Sequence, residues 1–149
     1  VYCGDLTKIP LEHAVDMLVI SAFPNGYVPT RSSLIGALDR AGVSVESLAK
    51  NKLHDLRKTC FFWVSKPLSK THSSTNFRQL ACFESDFYGD PPKLVGEVFR
   101  GLFPFLSVTH DSTVAMPILA AGDQGYSKRE MFDAIVKGAV FWMSRGLGI

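Results

Sequence analysis

Asp16-Met17-Leu18-Val19-Ile20-Ser21-Ala22, preceded by Gly4-Asp5-Leu6-Thr7, and Val114-Ala115-Met116-Pro117-Ile118-Leu119-Ala120-Ala121-Gly122-Asp123-Gln124-Gly125-Tyr126 are the two stretches that decide the fold. Each reads as a short buried strand that runs into a small-residue turn and then a helix. A run that is apolar at nearly every position suits a strand covered on both faces, as in a parallel sheet. Phe23-Pro24-Asn25-Gly26 breaks the first strand. The layout puts two backbone-rich loops at strand C-terminal ends, where open α/β sheets place ligands.

The segments between continue the alternation. Thr30 to Gly42 predicts a helix, with Thr30, Ser32 or Ser33 as N-cap, an apolar face of Leu34, Ile35, Leu38 and Ala41, and Gly42 at its end. A second helix is expected from Ser44, with Val45, Leu48 and Leu53 turned inward. Cys60 to Val64 and Phe77 to Glu84 read as strands, with a polar loop at 66–76 between them as the expected mobile segment. Asp90-Pro91-Pro92 starts a helix carrying Leu94, Val95, Val98, Phe99, Leu102 and Phe103, since proline is tolerated in a first turn. Val114 to Leu119 reads as a strand. Ser127-Lys128-Arg129-Glu130 has the capping-box spacing, ahead of a helix with Met131, Ile135, Ala139 and Trp142 on its core face and Gly146 at its close. Phe99, Phe103, Phe132 and Phe141 lie at core spacing. Strands alternating with helices predict an α/β fold with a mostly parallel, two-faced sheet.

Composition bounds the rest. A chain of 149 residues with 46% hydrophobic and 11% aromatic content is expected to fold as one domain with a real core. No apolar run approaches the roughly 20 residues that span a bilayer, so no membrane partner is expected. The N-terminus lacks the charged and apolar regions of a signal peptide. It also lacks a starting Met, as expected of a processed form or a piece of a longer protein with partner domains. Net charge is only +2, too balanced for a nucleic-acid binder driven by phosphate neutralisation. Cys3, Cys60 and Cys82 form no C-x-x-C pair and read as buried free thiols, which fits a reducing, cytoplasmic location. His13, His54, His72 and His110 show no metal-ligand spacing, so no metal and no cofactor are implied. His110-Asp111-Ser112 has triad residue types, but triads assemble from distant segments.

Taken in order, these motifs resemble the macro domain, a three-layer α/β/α sandwich that binds ADP-ribose. Gly4-Asp5-Leu6-Thr7 with Asp16 to Phe23 resembles that family's G-D-I-T and D-A-I-V-N-A-A-N. Ser33-Leu34-Ile35-Gly36-Ala37-Leu38-Asp39-Arg40-Ala41-Gly42 resembles G-V-D-G-A-I-H-R-A-A-G. Ala115 to Ser127 resembles A-F-P-x-I-S-T-G-x-x-G-[YF]-P. The resemblance implies that Asp5 accepts a hydrogen bond from an adenine amino group, with the Leu6 N–H beside it; the competing reading is that Asp5 caps a turn. It implies that Ala121, Gly122, Asp123, Gln124, Gly125 and Tyr126 cradle a diphosphate through backbone N–H groups, facing Thr30, Arg31, Ser32 and Ser33, with Ala22 and Phe23 beside the ribose. The competing reading is an ordinary strand-to-helix turn.

The departures narrow the function. The family's two asparagines stand here as Ile20 and Phe23, its G-G-G stretch as Thr30-Arg31-Ser32-Ser33, and its acidic loop position as Ile35. Those positions orient substrate and water in the family's ADP-ribosylhydrolases. Asp123 adds a carboxylate to a loop expected to hold phosphate. The family fold also ends in a strand after the last helix, whereas this sequence ends at Ile149. The expected function is a non-catalytic binding module for ADP-ribose or a related NAD-derived nucleotide, serving as a sensor in a larger signalling or immune protein. An ADP-ribosylhydrolase and a protein-interaction domain with a degenerate pocket are the alternatives.

Overall fold

The computed structural model describes residues 4–68, 75–85, 89–106 and 112–149. Cys3, His72, His110, Asp111 and most of the 66–76 loop lie outside them. Five strands form one mixed sheet: β1 (Val15–Ser21), β2 (Lys52–Asp55), β3 (Phe62–Ser65), β4 (Phe77–Phe83) and β5 (Val114–Ala115), in the order β2-β3-β4-β1-β5. β1 lies inside the sheet and pairs in parallel with β4 and β5. The β2–β3 and β3–β4 pairings are antiparallel.

The pleat explains why β1 is apolar throughout. Met17 and Val19 point to one face and Leu18 and Ile20 to the other, and all four are buried. On the Leu18 face the strands pack against helices α1 (Leu34–Arg40) and α2 (Val45–Lys50) through Ile35, Leu38, Val45 and Ala49. On the Met17 face they meet α4 (Pro91–Leu94), α5 (Glu97–Leu102) and α6 (Lys128–Met143) through Val95, Val98, Phe99, Leu102 and Met131. A short α3 (Arg57–Cys60) links β2 to β3. The result is the expected three-layer α/β/α sandwich.

Several elements differ from the sequence expectation. The helix expected from Thr30 begins at Leu34, because Ser33 is the residue whose hydroxyl accepts the Gly36 N–H. The second helix ends at Lys50, so Leu53 sits on β2, 43% exposed rather than inward. Cys60 ends α3 and β3 starts at Phe62, because Phe61 takes a left-handed conformation between them (φ 58°). The helix expected from Asp90 to Phe103 is two pieces, broken around Val95 and Gly96. The strand expected over 114–119 pairs only at Val114 and Ala115; Pro117 has no N–H to continue a ladder. Phe132 and Phe141 are exposed on α6, not packed in the core. The Ser127 hydroxyl does accept the Glu130 N–H (3.4 Å).

Candidate functional site

Three chain segments converge at the C-terminal end of β1. The strand itself ends at Ser21. The β1–α1 connection, residues 22–33, turns back sharply at Phe23–Gly26, where the Gly26 N–H donates to the Phe23 carbonyl (2.8 Å) and Asn25 is left-handed (φ 55°). The β5–α6 connection supplies residues 116–127. Between them lies a cleft of about 200 Å³ lined by Ser21, Ala22, Phe23, Gly26, Val28, Thr30, Ser32, Ser33, Leu34, Ile35, Pro117, Ile118, Gly122, Asp123 and Gln124.

Side chains tie the two connections together across the cleft. The Ser21 hydroxyl accepts the Ala120 N–H (2.9 Å), which holds Ala120 in a left-handed conformation (φ 56°). The Gln124 amide donates to the Ala22 carbonyl (3.2 Å). Asp123 accepts from the hydroxyls of Thr30 (2.8 Å, Oδ2) and Ser32 (3.3 Å, Oδ1). Within the loop, the N–H groups of Gly125 and Tyr126 donate to the carbonyls of Gly122 and Ala120, so its remaining donors are those of residues 121–124. Gly125 must be glycine-like here (φ 77°).

The first turn of α1 lies directly under the rim. A Cβ on Gly36 would stand 1.8 Å from the Thr30 carbonyl oxygen, so only glycine lets the helix approach this closely. That approach sets the position of Thr30 and Ser32 opposite Asp123.

No family model matches the sequence, and no curated protein matches it. Solved structures do. The Oceanobacillus iheyensis macrodomain with MES bound aligns over 97% of this chain and 77% of its own, with a TM-score of 0.66 at 15% identity. Two single-residue mutants of that macrodomain align over 97% of this chain and 77% and 74% of theirs, each with a TM-score of 0.67 at 14% identity. The chain has the macrodomain fold.

Of the residues the sequence nominates, Ala22, Phe23, Thr30, Ser32, Ser33, Gly122, Asp123 and Gln124 line one cleft of this macrodomain fold. Arg31, Ala121, Gly125 and Tyr126 belong to the same connections without lining it. Asp5 and Leu6 also lie outside the lining. The Asp5 carboxylate accepts from the Thr7 hydroxyl (2.7 Å) and N–H (2.9 Å), and these bonds hold its pKa below the usual carboxylate value. Leu6 packs beside the α1 layer. Ile20, at one family asparagine position, is fully buried in that layer, while Phe23, at the other, is 50% exposed on the cleft wall.

Apolar side chains give most of the cleft's surface, and among the described residues lining it Asp123 is the only charged one. Among the described residues no cluster of three or more His, Cys, Asp or Glu is placed to hold a metal. No helix among them is long and apolar enough to cross a membrane. Cys60 and Cys82 are buried free thiols, and burial pushes the Cys82 thiol well up.

Sequence reasoning missed Glu84. It follows β4 and is only 4% exposed. Its carboxylate accepts from the Asn25 N–H (3.0 Å), the Tyr27 hydroxyl, the Trp63 indole N–H and Arg57 (3.4 Å). Arg57 also donates to the Asn25 side chain (2.6 Å) and grips Asp55 with two nitrogens (2.8 and 2.6 Å). The Arg57 bond lowers the Asp55 pKa. Burial, and then the bond to Glu84, raise the Tyr27 pKa. This network clamps the outside of the Phe23–Gly26 turn, whose inside is cleft wall. The available signal was a lone carboxylate closing an apolar strand, which a buried site rarely keeps without several donors.

Proposed function

We propose that this protein is a binding module for ADP-ribose or a related NAD-derived nucleotide. The observation that carries the reading is the cleft between the β1–α1 and β5–α6 connections at the sheet's C-terminal end. It stands where open α/β sheets hold nucleotides. Its walls are fixed before any ligand arrives, by the Ser21–Ala120, Gln124–Ala22 and Asp123–Thr30/Ser32 bonds. Preorganisation of this kind lowers the cost of binding. At about 200 Å³ the enclosed part takes one sugar or base, with the remainder of a dinucleotide lying along the rim.

The module is read as non-catalytic. A hydrolase needs a group poised to activate water, and among the described residues the lining offers no histidine or lysine and a single carboxylate, Asp123, tied to the Thr30 and Ser32 hydroxyls. A role as the intracellular sensor of a larger signalling protein fits a module that binds without turnover. A thermal-shift series with ADP-ribose, NAD and AMP tests the reading. A ligand at about 100 times its Kd adds about 2.7 kcal/mol of stability. An unmoved melting temperature with all three at millimolar concentration refutes it.

A different observation favours a second reading, a protein-interaction domain with a degenerate pocket. Phe132, Val136, Val140 and Met143 form one exposed face of α6. A Val140→Asp variant that loses a binding partner yet keeps nucleotide affinity would support it.

A further inference from the structure

We propose that Asp123 receives the vicinal diol of a ribose, and so selects the sugar end of the ligand rather than its phosphates. This rests on the nucleotide reading above. The carboxylate accepts one hydroxyl on each oxygen, Thr30 on Oδ2 (2.8 Å) and Ser32 on Oδ1 (3.3 Å). Two hydroxyls, one per oxygen, are also what a ribose diol presents. An ionised carboxylate only accepts, so it suits paired O–H donors and repels phosphate oxygens.

Each carboxylate oxygen accepts one hydroxyl and has a second lone pair free, so the diol adds to the Thr30 and Ser32 bonds, which go on holding the carboxylate across the cleft. The surroundings match a sugar in other respects. Among the described residues no lysine or arginine lines the cleft, so a phosphate there would meet the Asp123 carboxylate and no cationic side chain. The enclosed volume of about 200 Å³ fits a pentose. Phe23, Ile35, Pro117 and Ile118 offer apolar surface to the ring's C–H face. Dinucleotide sites on other α/β sheets read ribose hydroxyls with a single carboxylate in the same way. A ribose carrying a phosphate on one of these hydroxyls is rejected, because it loses a donor and adds charge beside Asp123.

Calorimetry tests the assignment on the wild type, Asp123→Ala and Asp123→Asn. The ligands are ADP-ribose and two analogues, one lacking the diol on the adenosine ribose and one lacking it on the terminal ribose. On the wild type, one analogue binds at least about tenfold more weakly than ADP-ribose, the scale of a lost charge-assisted hydrogen bond. Both variants lose about the same factor for ADP-ribose, keep the wild-type melting temperature within 2–3 °C (about the shift expected for under 1 kcal/mol), and no longer distinguish that analogue. If Asp123→Ala binds ADP-ribose as tightly as the wild type or more tightly, Asp123 is a repulsive group and the assignment falls, while the nucleotide reading stands. If the wild type binds none of the three ligands, the nucleotide reading falls and the assignment with it.

Discussion

Replacing Glu84 with leucine probes the connection between core and cleft most sharply. Leucine has a similar volume but accepts no hydrogen bond. Glu84 is 4% exposed, and Trp63, one of its donors, is fully buried. The change strands the Trp63 indole N–H, the Tyr27 hydroxyl and the Asn25 N–H, and leaves Arg57 with Asp55 and the Asn25 side chain. The stranded Trp63 donor, fully buried, costs about 1–3 kcal/mol and the more accessible Tyr27 and Asn25 donors less, partly offset because the carboxylate's own desolvation is no longer needed. Breaking a buried charged network from one side typically costs about 3–5 kcal/mol. For a chain of this size that lowers Tm by about 6–20 °C. Glu84→Gln keeps an acceptor and loses less. Urea denaturation followed by Trp fluorescence measures the first effect. Hydrogen exchange at residues 23–28 measures the second, since the freed turn should lose protection even where the fold persists. A Glu84→Leu protein within 0.5 kcal/mol of wild type, with unchanged exchange in that turn, would refute the clamp.

Three further outcomes follow from single contacts. Gly36→Ala pushes a Cβ into the Thr30 carbonyl and should cost about 1–3 kcal/mol in urea melts, with NMR shifts spreading to Thr30, Ser32 and Asp123. Tyr27 has a folded pKa above its unfolded value of about 10, so the folded state holds its proton longer. Stability is therefore full below about pH 10 and falls as pH rises beyond it, and Tyr27→Phe should flatten that alkaline decline in a pH series of melts. Ser33→Ala removes the α1 cap and should cost about 0.5–2 kcal/mol, read from the same melts.

The architecture was legible because the strongest signals were local. The run Met17 to Ile20 declared a two-faced strand, Ser44 and Ser127 declared helix starts, and Ser33 was one of three candidates for a third; all three cap. What escaped depended on contacts between distant residues. β2 hid because Lys52–Asp55 is one residue buried in part and three exposed, a pattern with no strand signature. The 114–119 strand was overread because Ile118 and Leu119 are apolar for another reason: Leu119 fills the α5–α6 side of the core while Ile118 lines the cleft. Phe132 and Phe141 fit core spacing, yet the turn that buries Met131 faces them outward. At the cleft, the loop residues were nameable from their order in the chain. The partnership of Asp123 with Thr30 and Ser32 was not, because it spans more than ninety residues of sequence. Glu84 was invisible for the same reason, since its donors come from the β1–α1 connection, α3 and β3.

The most direct test of the central claim is an NMR titration of the isotope-labelled chain with ADP-ribose. Saturable shifts are expected at Ser21–Ala22, Phe23–Ser33 and Gly122–Gln124, with the exposed face of α6 unchanged. Shifts confined to α6, or no saturable shift at millimolar ligand on a well-folded protein, would contradict the claim.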